Sequence, residues 1–148
     1  SIHTGGNKEG LEITLKAIKN ELDLNNLRTK KYDIQNFNKQ FIFTNLVDTD
    51  MLYGHRNDYK GYARAIEEID SYIPSITEAM TEEDLLIITA DHGCDPTVKG
   101  TDHTREQVPL LIYSKNIKSC KLENINTFSY ISDRILDWFN IIPRQILQ

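Results

Sequence analysis

Three short stretches carry residues able to bind metal ions and move charge: Asp48-Thr49-Asp50-Met51-Leu52-Tyr53-Gly54-His55, Asp91-His92-Gly93, and Thr101-Asp102-His103-Thr104-Arg105-Glu106. Pooled, they offer Asp50, His55, Asp91, His92 and His103, which takes in three of the four histidines in the chain. Imidazole nitrogens and carboxylate oxygens together suit Mn²⁺ or Zn²⁺, and a pair of such ions is a common device for phosphoryl transfer. The histidine content argues against Ca²⁺, and the lack of a convincing thiolate argues against copper(I) or iron–sulfur clusters. Cys94, two residues after His92, reads as a small loop residue, and His3 as a surface residue.

Each stretch also has a plain structural reading. Asp48 and Asp50 suit turns or caps, and His55 suits a hydrogen-bonded loop. Asp102 is a candidate ligand but more simply orients His103 or stays solvated, and Arg105 either meets phosphate or pairs with Glu106 or another carboxylate. The clustering of histidines beside acidic loop residues at strand ends is what favours a metal site.

Those loops need elements to hold them. Leu11, Leu15, Ile18 and Leu22 recur at the helical period and predict a helix over 8–22. The polar, Asn-rich stretch 23–38 is a connection. Residues 40–47 and 84–90 form near-continuous apolar runs, as strands buried on both faces of a parallel sheet do. A further strand is predicted over 108–113. Asp58 suits an N-cap for a helix whose stripe is Tyr62, Ala65, Ile66, Ile69 and Ile73, and which either stops near Pro74 or kinks there and runs to Met80. Phe128, Ile131, Ile135, Leu136 and Phe139 outline a last helix before Pro143. The fold class is α/β, part of a mostly parallel sheet flanked by helices, with the polar clusters gathered at one sheet edge.

At 148 residues, 39% apolar and 26% charged, the chain suits a single soluble domain over 1–148. A net charge of −5 argues against nucleic acid as a partner. No apolar run reaches membrane-span length, and two cysteines, Cys94 and Cys120, fit a reducing cytoplasmic setting. The chain opens at Ser1 without a signal-peptide pattern, as though cut from something longer.

The strings Asn45-Leu46-Val47-Asp48-Thr49-Asp50-Met51-Leu52-Tyr53-Gly54-His55-Arg56-Asn57-Asp58, Ile88-Thr89-Ala90-Asp91-His92-Gly93-Cys94-Asp95-Pro96-Thr97 and Gly100-Thr101-Asp102-His103-Thr104-Arg105-Glu106 closely resemble signatures of phosphopentomutases. Ala-Asp-His-Gly by itself indicates only the wider alkaline-phosphatase-like superfamily. The resemblance implies that Asp50, His55 and His103 hold one Mn²⁺, with Zn²⁺ as the alternative, and that Asp91 and His92 help to hold a second. It implies transfer of phosphate between C1 and C5 of ribose or 2-deoxyribose through a phosphorylated threonine, aided by a sugar bisphosphate. That threonine, a further aspartate ligand and the sugar-recognising cap domain have no counterpart in these residues. The chain therefore reads as the C-terminal part of an alkaline-phosphatase-like core, without its N-terminal core segment, and inactive alone.

Two other readings stay open. One is a different enzyme of the superfamily, such as a cofactor-independent phosphoglycerate mutase or a phosphatase. The other is a non-catalytic metal-binding module that pairs with another subunit. Exposed sheet edges would invite self-association in either case.

Overall fold

A computed structural model describes residues 1–23 and 39–141. All but the first residue of the Asn-rich connection 23–38, and the tail 142–148, lie outside the described residues. The elements in order are α1 (Asn7–Ile18), α2 (Tyr59–Ala79), β1 (Leu86–Thr89), β2 (Leu110–Tyr113) and α3 (Ser129–Phe139). Between α1 and α2 lie a π-helical turn over Thr49–Tyr53 and a 3₁₀ turn over Gly54–Arg56.

Helix α1 lacks a side-chain cap from its N-cap residue, Gly6. Its first amide is met from elsewhere, Asn7 N–H donating to Asp48 Oδ2 at 2.8 Å, while Glu9 in the first turn reaches back to accept from Gly5 N–H at 2.6 Å. A carboxylate at a helix N-terminus also meets the positive end of the helix dipole. The helix stops at Ile18, short of the predicted Leu22, because Asn20 turns left-handed (φ 57). The amides of Asn20 and Glu21 then return to the carbonyls of Ala17 and Lys16, a Schellman closure. Asn140 closes α3 in the same way, with its own amide and that of Ile141 returning to Asp137 and Leu136.

Helix α2 starts as Asp58 predicts, its Oδ1 accepting from Gly61 N–H at 2.9 Å. Of the two outcomes at Pro74, the structure takes continuation: the helix runs on to Ala79. Its inner face packs on α1, where Leu11, Ile76 and Met80 are buried and Leu15, Leu46, Ile69, Ile73 and Leu86 close around them. Ile66, placed on the same stripe by periodicity, is exposed instead.

The sheet departs from expectation. β1 and β2 pair antiparallel, Leu86 opposite Tyr113 and Thr89 opposite Leu110, and they are the only sheet among the described residues. A parallel neighbour needs a crossover, usually a helix, and residues 90–109 contain none. The chain instead folds straight back on itself. Neither strand is buried on both faces: every residue of β1 and β2 keeps some exposure, and in β2 half-covered and exposed residues alternate.

The predicted strand over 40–47 is extended chain with no strand partner among the described residues. Leu46 reaches the core and Thr44 Oγ1 lies 2.6 Å from Thr14 Oγ1 on α1. Phe41 and Phe43, however, are 61% and 80% exposed. The expected apolar face of α3 contains no buried residue, and Trp138 Nε1–H donating to Glu83 O at 2.9 Å ties that helix to the turn before β1.

Candidate metal centre

Three devices bring the predicted ligands together. The first is the π turn. A π turn is rare, distorts the helical ladder and tends to mark functional sites; here it carries Asp50. Gly54 ends it, because a Cβ there would sit 2.5 Å from Cys94 Sγ and 3.1 Å from Thr49 O.

The second device is the doubling-back of the β1–β2 connection. Gly93 and Thr104 form an isolated antiparallel bridge, Thr104 N–H donating to Gly93 O at 3.2 Å. In the strands' own register Gly93 would face Glu106, so the pairing slips by two residues here. Gly93 still packs against that residue, since a Cβ would lie 2.6 Å from Glu106 N and 2.8 Å from Glu106 O. Only glycine allows two backbones this close. Thr104 Oγ1 accepts from Asp95 N–H at 2.7 Å and donates to Glu106 Oε2, which stitches the turn further. His92 and His103 emerge from the two sides of this stitch with rings stacked, centroids 3.6 Å apart.

The third device joins the two loops. His55 Nδ1–H donates to Thr101 O, which places its ring 4.8 Å from that of His103. Since a carbonyl can only accept, the proton of a neutral His55 ring sits on Nδ1 and the Nε2 lone pair is free. His92 Nδ1–H donates to Gly93 O at 3.2 Å with the same result.

The Nε2 atoms of all three rings face carboxylates. His55 Nε2 lies 3.3 Å from Asp50 Oδ2, His103 Nε2 lies 3.4 Å from Asp50 Oδ1, and His92 Nε2 lies 3.5 Å from Asp91 Oδ1. Two lone pairs at such distances repel unless a proton or metal ion lies between them. Ligands held ~2.1 Å from one ion are separated by ~3.0–3.4 Å in octahedral or tetrahedral arrangements, so the Asp50 spacings suit a shared cation. Asp50 Oδ1 is buried and has no hydrogen-bond partner, a costly state for a carboxylate that a cation would relieve.

The five predicted residues are not equivalent. Asp50, His92 and His103 present ligand atoms that all lie within 4.8 Å of one another. His92, grouped by resemblance with Asp91, thus also lies within reach of Asp50 and His103. The Asp50 side chain is only 27% exposed, whereas Asp91 is 84% exposed and lies at the rim. Asp102 and Arg105 are exposed, and His3 is exposed far along the chain.

Several contributors escape sequence reasoning. Tyr62, assigned by periodicity to an apolar stripe, faces the cluster: burial pushes its phenol pKa up, and Cys94, Asp50, Asp95 and Glu106 add to the rise. Cys94 is likewise raised, by burial first and then by Asp50, Glu106 and Asp95. In both, burial is the larger cause and the surrounding acidic groups add to it. Asp95 goes the other way, held below the usual carboxylate range by Thr97, whose Oγ1 and N donate at 2.6 and 2.8 Å.

Residues 7–143 match the family model of the Metalloenzyme superfamily. The chain belongs to the metalloenzyme superfamily. Its superfamily relatives include a phosphopentomutase of Caldanaerobacter subterraneus subsp. tengcongensis, 46% identical over 144 residues, which are 97% of this chain and 33% of that protein. A phosphopentomutase of Lachnoclostridium phytofermentans is 44% identical over 144 residues, again 97% and 33%. One of Kosmotoga olearia is 50% identical over 113 residues, 76% of this chain and 29% of the relative. The chain thus spans about a third of the length of the curated relatives it matches. A superfamily of metalloenzymes accords with the donor set that Asp50, His92 and His103 assemble. Among the described residues, no helix is long and apolar enough to cross a membrane.

Proposed function

We propose that this chain is the cation-binding, C-terminal part of a phosphopentomutase core, with residues 1–148 as one domain completed by further polypeptide. The observation that carries the reading is Asp50, which turns one carboxylate oxygen to His55 and the other to His103 while Oδ1 lacks any hydrogen bond. Similarity to phosphopentomutases over 97% of the chain gives that cluster its reaction class.

On this reading Asp50, His55 and His103 hold one divalent cation, most simply Mn²⁺ with Zn²⁺ as the alternative, and Asp91 and His92 contribute to a second. Bound there, the cations polarise phosphate oxygens and offset the charge that builds up during transfer. The chain's own residues fix the donors. Thr101 O holds the His55 ring with Nε2 inward, Gly93 lets the loops close, and exposed Asp91 stays free to turn toward a second ion. No residue here acts as nucleophile; a threonine outside these 148 residues takes and returns the phosphoryl group. The substrate is a pentose phosphate, with a sugar bisphosphate as activator, in a cytoplasmic setting. The mostly parallel sheet of the whole core would take its remaining strands from the added polypeptide, which would cover Phe41, Phe43 and the open edges that otherwise favour self-association.

Turnover decides this. The longer protein containing these residues should interconvert ribose 1-phosphate and ribose 5-phosphate with Mn²⁺, and the 148-residue chain alone should not. Preference for 3-phosphoglycerate over ribose 1-phosphate would sink the assignment.

A further inference from the structure

Among the described residues, two side chains of the 48–57 segment hydrogen-bond across to the β1–β2 connection. One is His55, which the reading above makes a ligand. The other is Asn57, whose Nδ2 donates to Val98 O at 2.7 Å and to Pro96 O at 3.3 Å. Pro96 and Val98 lie on the arc between His92 and His103. Asn57 itself follows the turn that carries His55, is left-handed (φ 53, ψ 28), and donates its backbone N–H to Gly54 O at 3.1 Å. It thus bridges the segment bearing Asp50 and His55 to the arc that joins the other two histidines.

The left-handed turn alone does not account for this residue. Glycine adopts that conformation without cost, and aspartate tolerates it nearly as well. What asparagine adds is an NH₂ group with two donors, matched here to two carbonyl acceptors. An aspartate in its place would point acceptor at acceptor.

We propose that Asn57 is a positioning residue of the metal centre: its amide clamps the arc 96–98 and so sets the spacing between Asp50 and the His92–His103 pair. The inference rests on the metal reading of Asp50 and its histidines. Asn57 touches no ligand atom and acts only through the loop. Because the clamp is exposed and competes with water, its loss weakens the site rather than abolishing it.

The test is a calorimetric Mn²⁺ titration of the full chain and of Asn57→Gly and Asn57→Asp, with thermal melting of each in chelator as the control for folding. The expected result is metal-free melting close to that of the unmutated chain for both variants, with Mn²⁺ affinity lowered roughly tenfold in Asn57→Gly and at least as far in Asn57→Asp. In the metal-free chain, the ring proton resonances of His92 and His103 should also shift on Asn57→Gly while those of His3 stay. Unchanged affinity and unchanged ring resonances in Asn57→Gly overturn the proposal and leave the metal reading standing. Loss of affinity matched by loss of metal-free melting in both variants assigns Asn57 to the fold and also overturns it. An unmutated chain that binds no Mn²⁺ overturns the metal reading and this inference with it.

Discussion

The helix pair and the loop pair hold together by different means. Between α1 and α2 the contacts are apolar, with Leu11, Ile76 and Met80 out of water and the rest of the stripe closing around them. Between 48–57 and 91–106 they are hydrogen bonds, a glycine-permitted backbone approach and facing histidine and aspartate side chains. Burial in the first region is non-directional and tolerates small shifts, whereas the second depends on distances of a few tenths of an ångström. One segment serves both: Asp48 meets the first turn of α1 through its carboxylate, and Asp50, two residues on, faces the histidines. Stability and ligand geometry are therefore supplied by separate parts that share a single π turn.

If the parts are separate, mutations should sort by region. Ile76→Ala removes a buried core side chain and should cost about 2–5 kcal/mol in urea unfolding, with Mn²⁺ affinity of the folded fraction unchanged. A parallel loss of affinity would mean that core and site are one unit. Asp50→Asn should weaken Mn²⁺ binding on the order of 100-fold, by calorimetry, while leaving metal-free stability nearly intact or improved, since it removes a half-buried charge one of whose oxygens lacks a hydrogen bond. His103→Ala should follow it, and His3→Ala should have no effect. Equal losses from the two histidine variants would count against the ligand assignment.

Gly93→Ala sharpens the comparison from the loop side. Its Cβ would meet Glu106 backbone, which cannot swing away, so about 1–3 kcal/mol of strain should part the loops and weaken the cation site. Smallest is Thr97→Ala. The Asp95 carboxyl is held below its ordinary value by Thr97, so its contribution is present above that value and lost as pH falls through the folded one. Removing one donor should move the Asp95 titration upward by NMR, with little change in unfolding because the Thr97–Asp95 hydrogen bonds are solvent-exposed.

Helices were the most legible elements because their determinants are local. Asp58 announces the start of α2, and the 3.6-residue spacing of Leu11, Leu15 and Ile18 announces α1. Its end is less legible, since Leu22 extends the spacing while Asn20 supplies the left-handed stop. Strand direction was not legible at all. An apolar run says that a strand wants cover, but parallel or antiparallel pairing depends on how the intervening chain returns, and 90–109 returns without a helix. For the run 40–47, the pattern demands burial that the described residues do not provide, so Phe43 reads as core and stands in the open.

The sequence by itself determined which side chains carry donor atoms of the kind metals take, because donor chemistry belongs to the side chain: carboxylates and imidazoles in strings that resemble a phosphopentomutase pattern. It also determined where α2 begins, through Asp58. Tertiary structure alone decided the grouping of those donors. His92 and His103 lie eleven positions apart, yet they stack because Gly93 and Thr104 pair. Asp50 lies half-buried between two imidazoles while Asp91, adjacent to a histidine in sequence, lies at the rim. Adjacency along a chain fixes only which backbone atoms are neighbours, and the folding-back of the loops sets which lone pairs converge.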